Sequence, residues 1–268
     1  MHKRSDGYHA IETLFERLNV GDTIDLEPIA FGIELVVQGD EKIPSGSTNL
    51  AWRAAKLLQE TYSVRRGVRI RIHKRIPVSA GLGGGSSNAA TVLLGLNRLW
   101  KLKLSRKELI RLGSKLGSDV PFFILETSLA LGRGRGEILQ KIPAPSRTIW
   151  HVLVKPPFGI STKEAYAGRF LTPKKTDVRM LIHSIQRGDS ETLSKLLINS
   201  LELALNKRLR KILEIKKKLV REGAFGALLS GSGSCVFGLF SSKQKASKAA
   251  RRLRKAHRNW KVFVASTY

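Results

Sequence analysis

Between Pro77 and Ala90 the chain reads Pro-Val-Ser-Ala-Gly-Leu-Gly-Gly-Gly-Ser-Ser-Asn-Ala-Ala, with four glycines in the five positions from Gly81 to Gly85. No other segment constrains the fold as strongly. Val68-Arg69-Ile70-Arg71-Ile72, just before it, alternates with the period of a half-buried strand, and Ala89, Ala90, Val92, Leu93, Leu94, Leu96 and Leu99, just after it, belong to a helix. The segment is therefore a strand-to-helix loop. A mere connection of that kind is about 2 to 6 residues long and needs no such glycine density. Glycines let backbone N–H groups turn inward, and a helix beginning at Ser86 or Ser87 adds the positive end of its dipole. Together they predict an anion cradle suited to phosphate. Two nucleotide-binding patterns are excluded. Gly-x-x-x-x-Gly-Lys-Ser/Thr is absent, and the third glycine of the dinucleotide fingerprint falls on Ser86.

Around this loop, short strands are expected near residues 10–15, 23–26 and 33–37, and a helix from about Asn49 to Thr61. Ser105 with Glu108 three residues later reads as a capping box opening another helix. Strands near 128–131 and 136–139 close a first domain, and Pro143-Ala144-Pro145-Ser146 reads as a linker, which predicts domains over 1–146 and 147–268. The second half opens on an apolar strand, Trp150 to Val154, is mostly helical from Thr162 to Arg221, and continues with strands over 226–229 and 235–240. A basic helix and the strand Trp260 to Val264 follow. Strands and helices alternate without the regular cadence of a doubly wound sheet, so an α+β fold is expected.

The 268 residues carry 48 Lys+Arg against 21 Asp+Glu, a net charge of +27, yet 42% are hydrophobic. That is enough apolar material for a core and excludes a disordered basic tail. Much of the charge lies in 207–221 and 242–258, where Leu, Ile or Ala recur at helical spacing among the cations. These read as amphipathic helices with solvated basic faces, and with no nucleic-acid reader motif present no dedicated nucleic-acid partner is expected. The single cysteine, Cys235, excludes an intrachain disulfide framework and a cysteine-based zinc site. No apolar run approaches the roughly 18 residues needed to span a bilayer, so a cytoplasmic protein without a membrane partner is expected.

Taken residue by residue, several positions keep two readings. Asp119 lies between Leu116 and Val120-Pro121-Phe122-Phe123, where a carboxylate is costly without a charge partner or a function, and it reads equally as the Asp of a Gly-Ser-Asp turn. Asn49 is equally a helix cap, and Ser230-Gly231-Ser232-Gly233-Ser234 is equally a hairpin turn. Tyr8-His9 reads as a turn exit, Tyr166 as a core aromatic, and Lys74-Arg75 as exposed cations able to steer anions.

The glycine loop resembles the ATP-phosphate loop of the GHMP kinases. Lys3-Arg4-Ser5-Asp6-Gly7-Tyr8-His9, followed by Thr13 and Asp22, narrows the resemblance to one branch, which phosphorylates the 2-hydroxyl of 4-diphosphocytidyl-2-C-methyl-D-erythritol in the non-mevalonate isoprenoid route. Asn49-Leu50, Gly117 to Phe122, Gly132 to Glu137 and Ser230 to Ser234 continue the same register, so the resemblance covers nearly the whole chain. It implies a two-domain architecture, with an N-terminal domain like ribosomal protein S5 domain 2 and a ferredoxin-like C-terminal domain. It also implies ATP and Mg²⁺ as cofactors, and a monomer or homodimer. Asp119 takes the role of base at the acceptor hydroxyl. Asn49, Leu50, Pro77, Gly81, Leu82, Gly83, Gly84, Gly85, Ser86 and Ser87 meet the nucleotide. Tyr8, His9 and Tyr166 hold the cytosine, with Gly231, Ser232 and Gly233 facing substrate; no metal-ligating residue is assigned.

Most members of the branch begin with Pro-Ala-Lys-x-Asn-Leu on a strand that brings a lysine to the catalytic aspartate, and this sequence starts at Met1-His2-Lys3. The natural start is therefore expected upstream of Met1, failing which Lys3 or Lys74 would have to supply the charge. Three alternatives stand beside this reading: another GHMP kinase, of the mevalonate, phosphomevalonate or homoserine type, a basic RNA-binding protein on the same fold, and a truncated, catalytically weak remnant that still binds ligands. The nucleobase-reading Asp6-Gly7-Tyr8-His9 element speaks against the first.

Overall fold

The computed structural model describes residues 2–3, 9–39, 43–167, 176–205 and 208–268. The chain divides into two compact units, Met1–Val78 with Gly83–Ile142, and Ser79–Leu82 with Pro143–Tyr268. The division thus falls four residues before the expected one, and four residues of the glycine loop belong with the second unit.

In the first unit the order is β1 (His2–Lys3), β2 (His9–Glu16), β3 (Thr23–Ile29), β4 (Ile33–Gln38), α1 (Leu50–Tyr62), β5 (Gly67–His73), α2 (Gly84–Leu99), α3 (Arg106–Leu116), α4 (Val120–Leu125), β6 (Leu129–Gly134) and β7 (Ile138–Ile142). These make two sheets, β3-β5-β4 and β1-β2-β6-β7. β5 runs antiparallel to β3 and parallel to β4, the parallel pair being joined through α1 as such pairs require. The alternation read in β5 is realised: Val68, Ile70 and Ile72 are fully buried against Ala54 and Leu58 of α1 and Leu93 and Leu96 of α2. Arg69 and Arg71, on the other face, pair with Glu27 and Glu34.

The capping box of α3 forms as its sequence requires, with Ser105 and Glu108 exchanging side-chain and backbone bonds that hold the Glu108 carboxyl below its ordinary value. Two features differ from expectation. α2 begins at Gly84, ahead of both serines, because Gly83 takes the left-handed conformation (φ +65°) at the cap position. The short α4 was not foreseen; it places Pro121 in its first turn, where a missing N–H costs nothing.

The second unit carries β8 (Trp150–Lys155), α5 (Thr162–Ala167), α6 (Val178–Arg187), α7 (Ser190–Leu196), a 3-10 turn (Ser200–Ala204), α8 (Leu209–Arg221), β9 (Gly226–Leu229), β10 (Val236–Phe240), α9 (Lys243–Ala256) and β11 (Lys261–Ser266). Its antiparallel sheet has the order β11-β8-β10-β9, a ferredoxin-like arrangement in which α8 and α9 follow β8 and β10. Ile212, Ile215 and Leu219 of α8 and Ala246, Ala250 and Leu253 of α9 pack on Val152, Val154, Val236 and Phe240. The two amphipathic helices read from the sequence are these, and Lys217, Lys245, Lys248 and Arg251 stay on their solvated faces. Among the described residues, no helix is long and apolar enough to cross a membrane.

Candidate functional site

The glycine-rich segment becomes the first turn of α2 because Gly83 caps it without a side chain. A methyl group on Gly84 would come within 3.0 Å of Ile76 and 3.3 Å of the Lys74 Nζ, and one on Gly83 within 3.0 Å of Phe123. Leu50 lies against the same turn, 3.6 Å from where a Gly85 Cβ would stand. The two serines differ. Ser87 donates its hydroxyl to the Gly84 carbonyl, 2.9 Å away, whereas the Ser86 hydroxyl has no hydrogen-bond partner among the described residues.

Lys74 is not the exposed cation that its place in the sequence suggested. Its side chain is 4% exposed and its ammonium lies 2.8 Å from Asp22, itself 1% exposed. Lys74 also donates to the Ile76 carbonyl. Asp22 Oδ1 accepts the Arg75 and Ile76 N–H groups at 2.7 and 2.8 Å, so one carboxylate holds three donors. The pair fastens the chain between β5 and the loop and sets its ammonium end beside Gly84 at the start of α2. The signal available in sequence was the isolated Asp22 after the β2 strand, but its partner is 52 residues away.

Asp119 precedes α4 and caps nothing, and it has no hydrogen-bond partner among the described residues. Leu116, Val120 and Phe122 surround it in sequence, and burial alone pushes its carboxyl above the ordinary Asp value. The turn that carries it lies against the cradle, since a Gly117 Cβ would fall 3.9 Å from the Ser86 hydroxyl. α4 is pinned there by aromatics: Phe122 stacks on Phe15 of β2 with ring centres 5.0 Å apart, and Phe123 meets Gly83. An unpartnered, desolvated carboxylate beside a glycine-lined helix start is a candidate acid–base group.

In the second unit Gly81 is brought to the glycine-serine turn of 230–234. Ser230 Oγ donates to the Gly81 carbonyl at 2.8 Å, and the Ser234 and Cys235 N–H groups donate to Ser79 and Ala80. A Cβ on Gly81 would land 2.0 Å from the Ser230 carbonyl oxygen, and its φ of +71° also demands glycine. Cys235 is fully buried with its thiol pushed up to about 12 by desolvation, which removes it as a nucleophile.

The remaining expected residues divide. Asn49 caps α1, accepting the Ala51 N–H at 2.9 Å, and donates to the Pro44 carbonyl at 2.8 Å, so its amide is engaged at both ends. Pro77 is buried beside the loop, and Leu82 is half-buried. Tyr166 is half-buried on α5 and packs against the second core. Tyr8 lies outside the described residues, and of His9 only the backbone, in β2, is described. Sequence reasoning gave Asn88 no role, yet it is 4% exposed on α2 with no hydrogen-bond partner among the described residues.

A glycine-lined helix start of this kind suits phosphate groups, a feature of phosphate-handling α+β proteins. The family models say which: GHMP kinases N terminal domain matches residues 49–127 and GHMP kinases C terminal matches 181–259. A relative from Pelotomaculum thermopropionicum, named 4-diphosphocytidyl-2-C-methyl-D-erythritol kinase, is 43% identical over 270 residues, covering 99% of this chain and 92% of its own length. One of the same name from Geobacillus kaustophilus is 43% identical over 257 residues, covering 95% and 88%. A crystal structure of 4-(cytidine 5'-diphospho)-2C-methyl-D-erythritol kinase superposes with a TM-score of 0.82 at 35% identity, covering 98% of this chain and 92% of the other. Homoserine kinase from Cytophaga hutchinsonii, at 22% identity and a TM-score of 0.76 over 95% and 88% of the two chains, shares the fold. The chain belongs to the GHMP kinase family and is an ATP-dependent small-molecule kinase.

Proposed function

We propose that the chain transfers the γ-phosphoryl group of ATP to the 2-hydroxyl of 4-diphosphocytidyl-2-C-methyl-D-erythritol, in the cytoplasm. The observation that carries this reading is Asp119, a carboxylate without a hydrogen-bond partner among the described residues, whose turn lies against the α2 cradle. It is supported by relatives of that name at 43% identity. Asp119 accepts the hydroxyl proton as the acceptor oxygen attacks the γ-phosphorus and the bridge to the β-phosphate breaks, releasing ADP. Loop amides from Gly81 to Ser87 and the Ser86 hydroxyl hold the triphosphate, and Asn49, Leu50 and Pro77 frame the nucleotide. The buried Lys74 ammonium offsets charge on the phosphates. Tyr8 and His9 read the cytosine. Mg²⁺, when bound with ATP, would supply charge neutralisation at the phosphates; among the described residues no group of three His, Cys, Asp or Glu is placed to hold a metal ion.

The reading is tested by calorimetric titration of the acceptor with Mg²⁺ and a non-hydrolysable ATP analogue present. Saturable binding, abolished when Tyr8 and His9 are both changed to Ala, is the expected result. A folded sample that binds mevalonate or homoserine instead would refute it.

A further inference from the structure

The segment before α8 grips the glycine-serine turn at its backbone. Asn199 caps the 3-10 turn through Oδ1, which accepts the Leu201 N–H at 3.0 Å. Its Nδ2 reaches in the other direction and donates to two carbonyls, Leu229 at 2.9 Å and Gly231 at 2.8 Å. Glu202, buried and bonded to Lys216 Nζ at 2.7 Å, accepts the Leu229 N–H at 2.9 Å. The Ser230 carbonyl is taken by the Gly233 N–H at 2.8 Å.

The Leu229, Ser230 and Gly231 carbonyls are thus held by the protein, while the Gly231 and Ser232 N–H groups have no hydrogen-bond partner among the described residues. Gly231 is exposed and Ser232 half-buried. A trans peptide unit points its N–H opposite to its carbonyl. Asn199, by capturing the Gly231 oxygen, turns the Ser232 N–H away from itself. A peptide flipped the other way would present an oxygen to an anionic ligand. Successive unclaimed N–H groups form an anion-binding concavity.

We infer that Asn199 is a positioning residue for phosphate recognition: its amide, by holding the Gly231 carbonyl, presents the Ser232 N–H, next to the Gly231 N–H, to a phosphate oxygen of a bound substrate. This rests on the kinase reading above and deepens it. Nothing in a capping role demands the second function, because Ser and Asp cap as well as Asn and cannot donate to two carbonyls.

That difference supplies the experiment. Asn199→Ser and Asn199→Asp both keep a capping oxygen and lose the paired donor. Steady-state KM and kcat, calorimetric affinity for a non-hydrolysable ATP analogue and for CDP, and thermal midpoint are measured for the wild type and both variants. Both variants are expected to keep a midpoint close to that of the wild type. They are also expected to weaken phosphate-ligand affinity and kcat/KM by about tenfold, the worth of a charge-assisted hydrogen bond. Unchanged affinity and KM in both variants, beside an active wild type, would overturn the role of Asn199 alone. So would loss confined to Asn199→Asp, which would trace to its charge, or a fall in midpoint without a change in affinity. A wild type that binds neither ligand would overturn the kinase reading and this inference with it.

Discussion

Two aspartates of the first unit answer the same problem in opposite ways. Asp22 is 1% exposed and saturated: an ammonium at 2.8 Å and two backbone N–H groups at 2.7 and 2.8 Å leave its carboxylate fully engaged. Asp119 is desolvated and has none of this among the described residues, and burial pushes its carboxyl above the ordinary value. Folding tolerates the first because its charge is paid for by its partners. The second is a cost that packing does not repay, which is what a group kept for chemistry looks like.

The contrast predicts opposite outcomes for the two residues. Asp119→Asn should lower kcat by about a thousandfold, within the range of a lost general base, while leaving the thermal midpoint unchanged or raised. The sign follows from linkage. A carboxyl whose folded value is raised binds its proton more tightly folded than unfolded, so stability falls as pH rises from the unfolded value through the folded one. Asn, with no carboxyl to ionise, removes the cost of desolvating that charge. For the same reason the acid limb of the kcat/KM profile should lie above the ordinary Asp range, and a limb at or below that range would contradict the desolvation.

Asp22→Ala should do the reverse, costing about 3 kcal/mol in denaturant titrations because it strands the Lys74 ammonium in a buried site. Removing both charges in Asp22→Asn with Lys74→Met should recover part of that stability but not the affinity for ATP. Gly81→Ala, which forces a Cβ onto the Ser230 carbonyl at a φ of +71°, should raise the KM for ATP about tenfold through a strained loop. The smallest effect separates the serines. Ser86→Ala should raise that KM about fivefold, the worth of a net hydrogen bond, and Ser87→Ala, whose hydroxyl is tied to Gly84, less than twofold.

What was legible in the sequence was what local chemistry decides. The alternation in Val68 to Ile72, the Ser105–Glu108 capping box and the amphipathic α8 and α9 each needed only neighbours within a few residues. The start of α2 was misjudged by looking for a side-chain cap, when a left-handed Gly83 does the work. Lys74 was misread because burial is a tertiary property, and neither the distance to Asp22 nor the fold between them is written in the residues beside it. In the candidate site the glycine loop and Asp119 could be named in advance, but which serine is free and which amide grips the 230–234 turn depend on contacts made only after folding.

The most direct measurement follows γ-labelled phosphate from ATP into an alcohol acceptor, comparing 4-diphosphocytidyl-2-C-methyl-D-erythritol with mevalonate and homoserine for the wild type and Asp119→Asn. Label should enter the cytidylyl acceptor alone, and Asp119→Asn should remove nearly all of it from a protein at least as stable. Transfer to mevalonate or homoserine, or undiminished transfer by Asp119→Asn, would contradict the account.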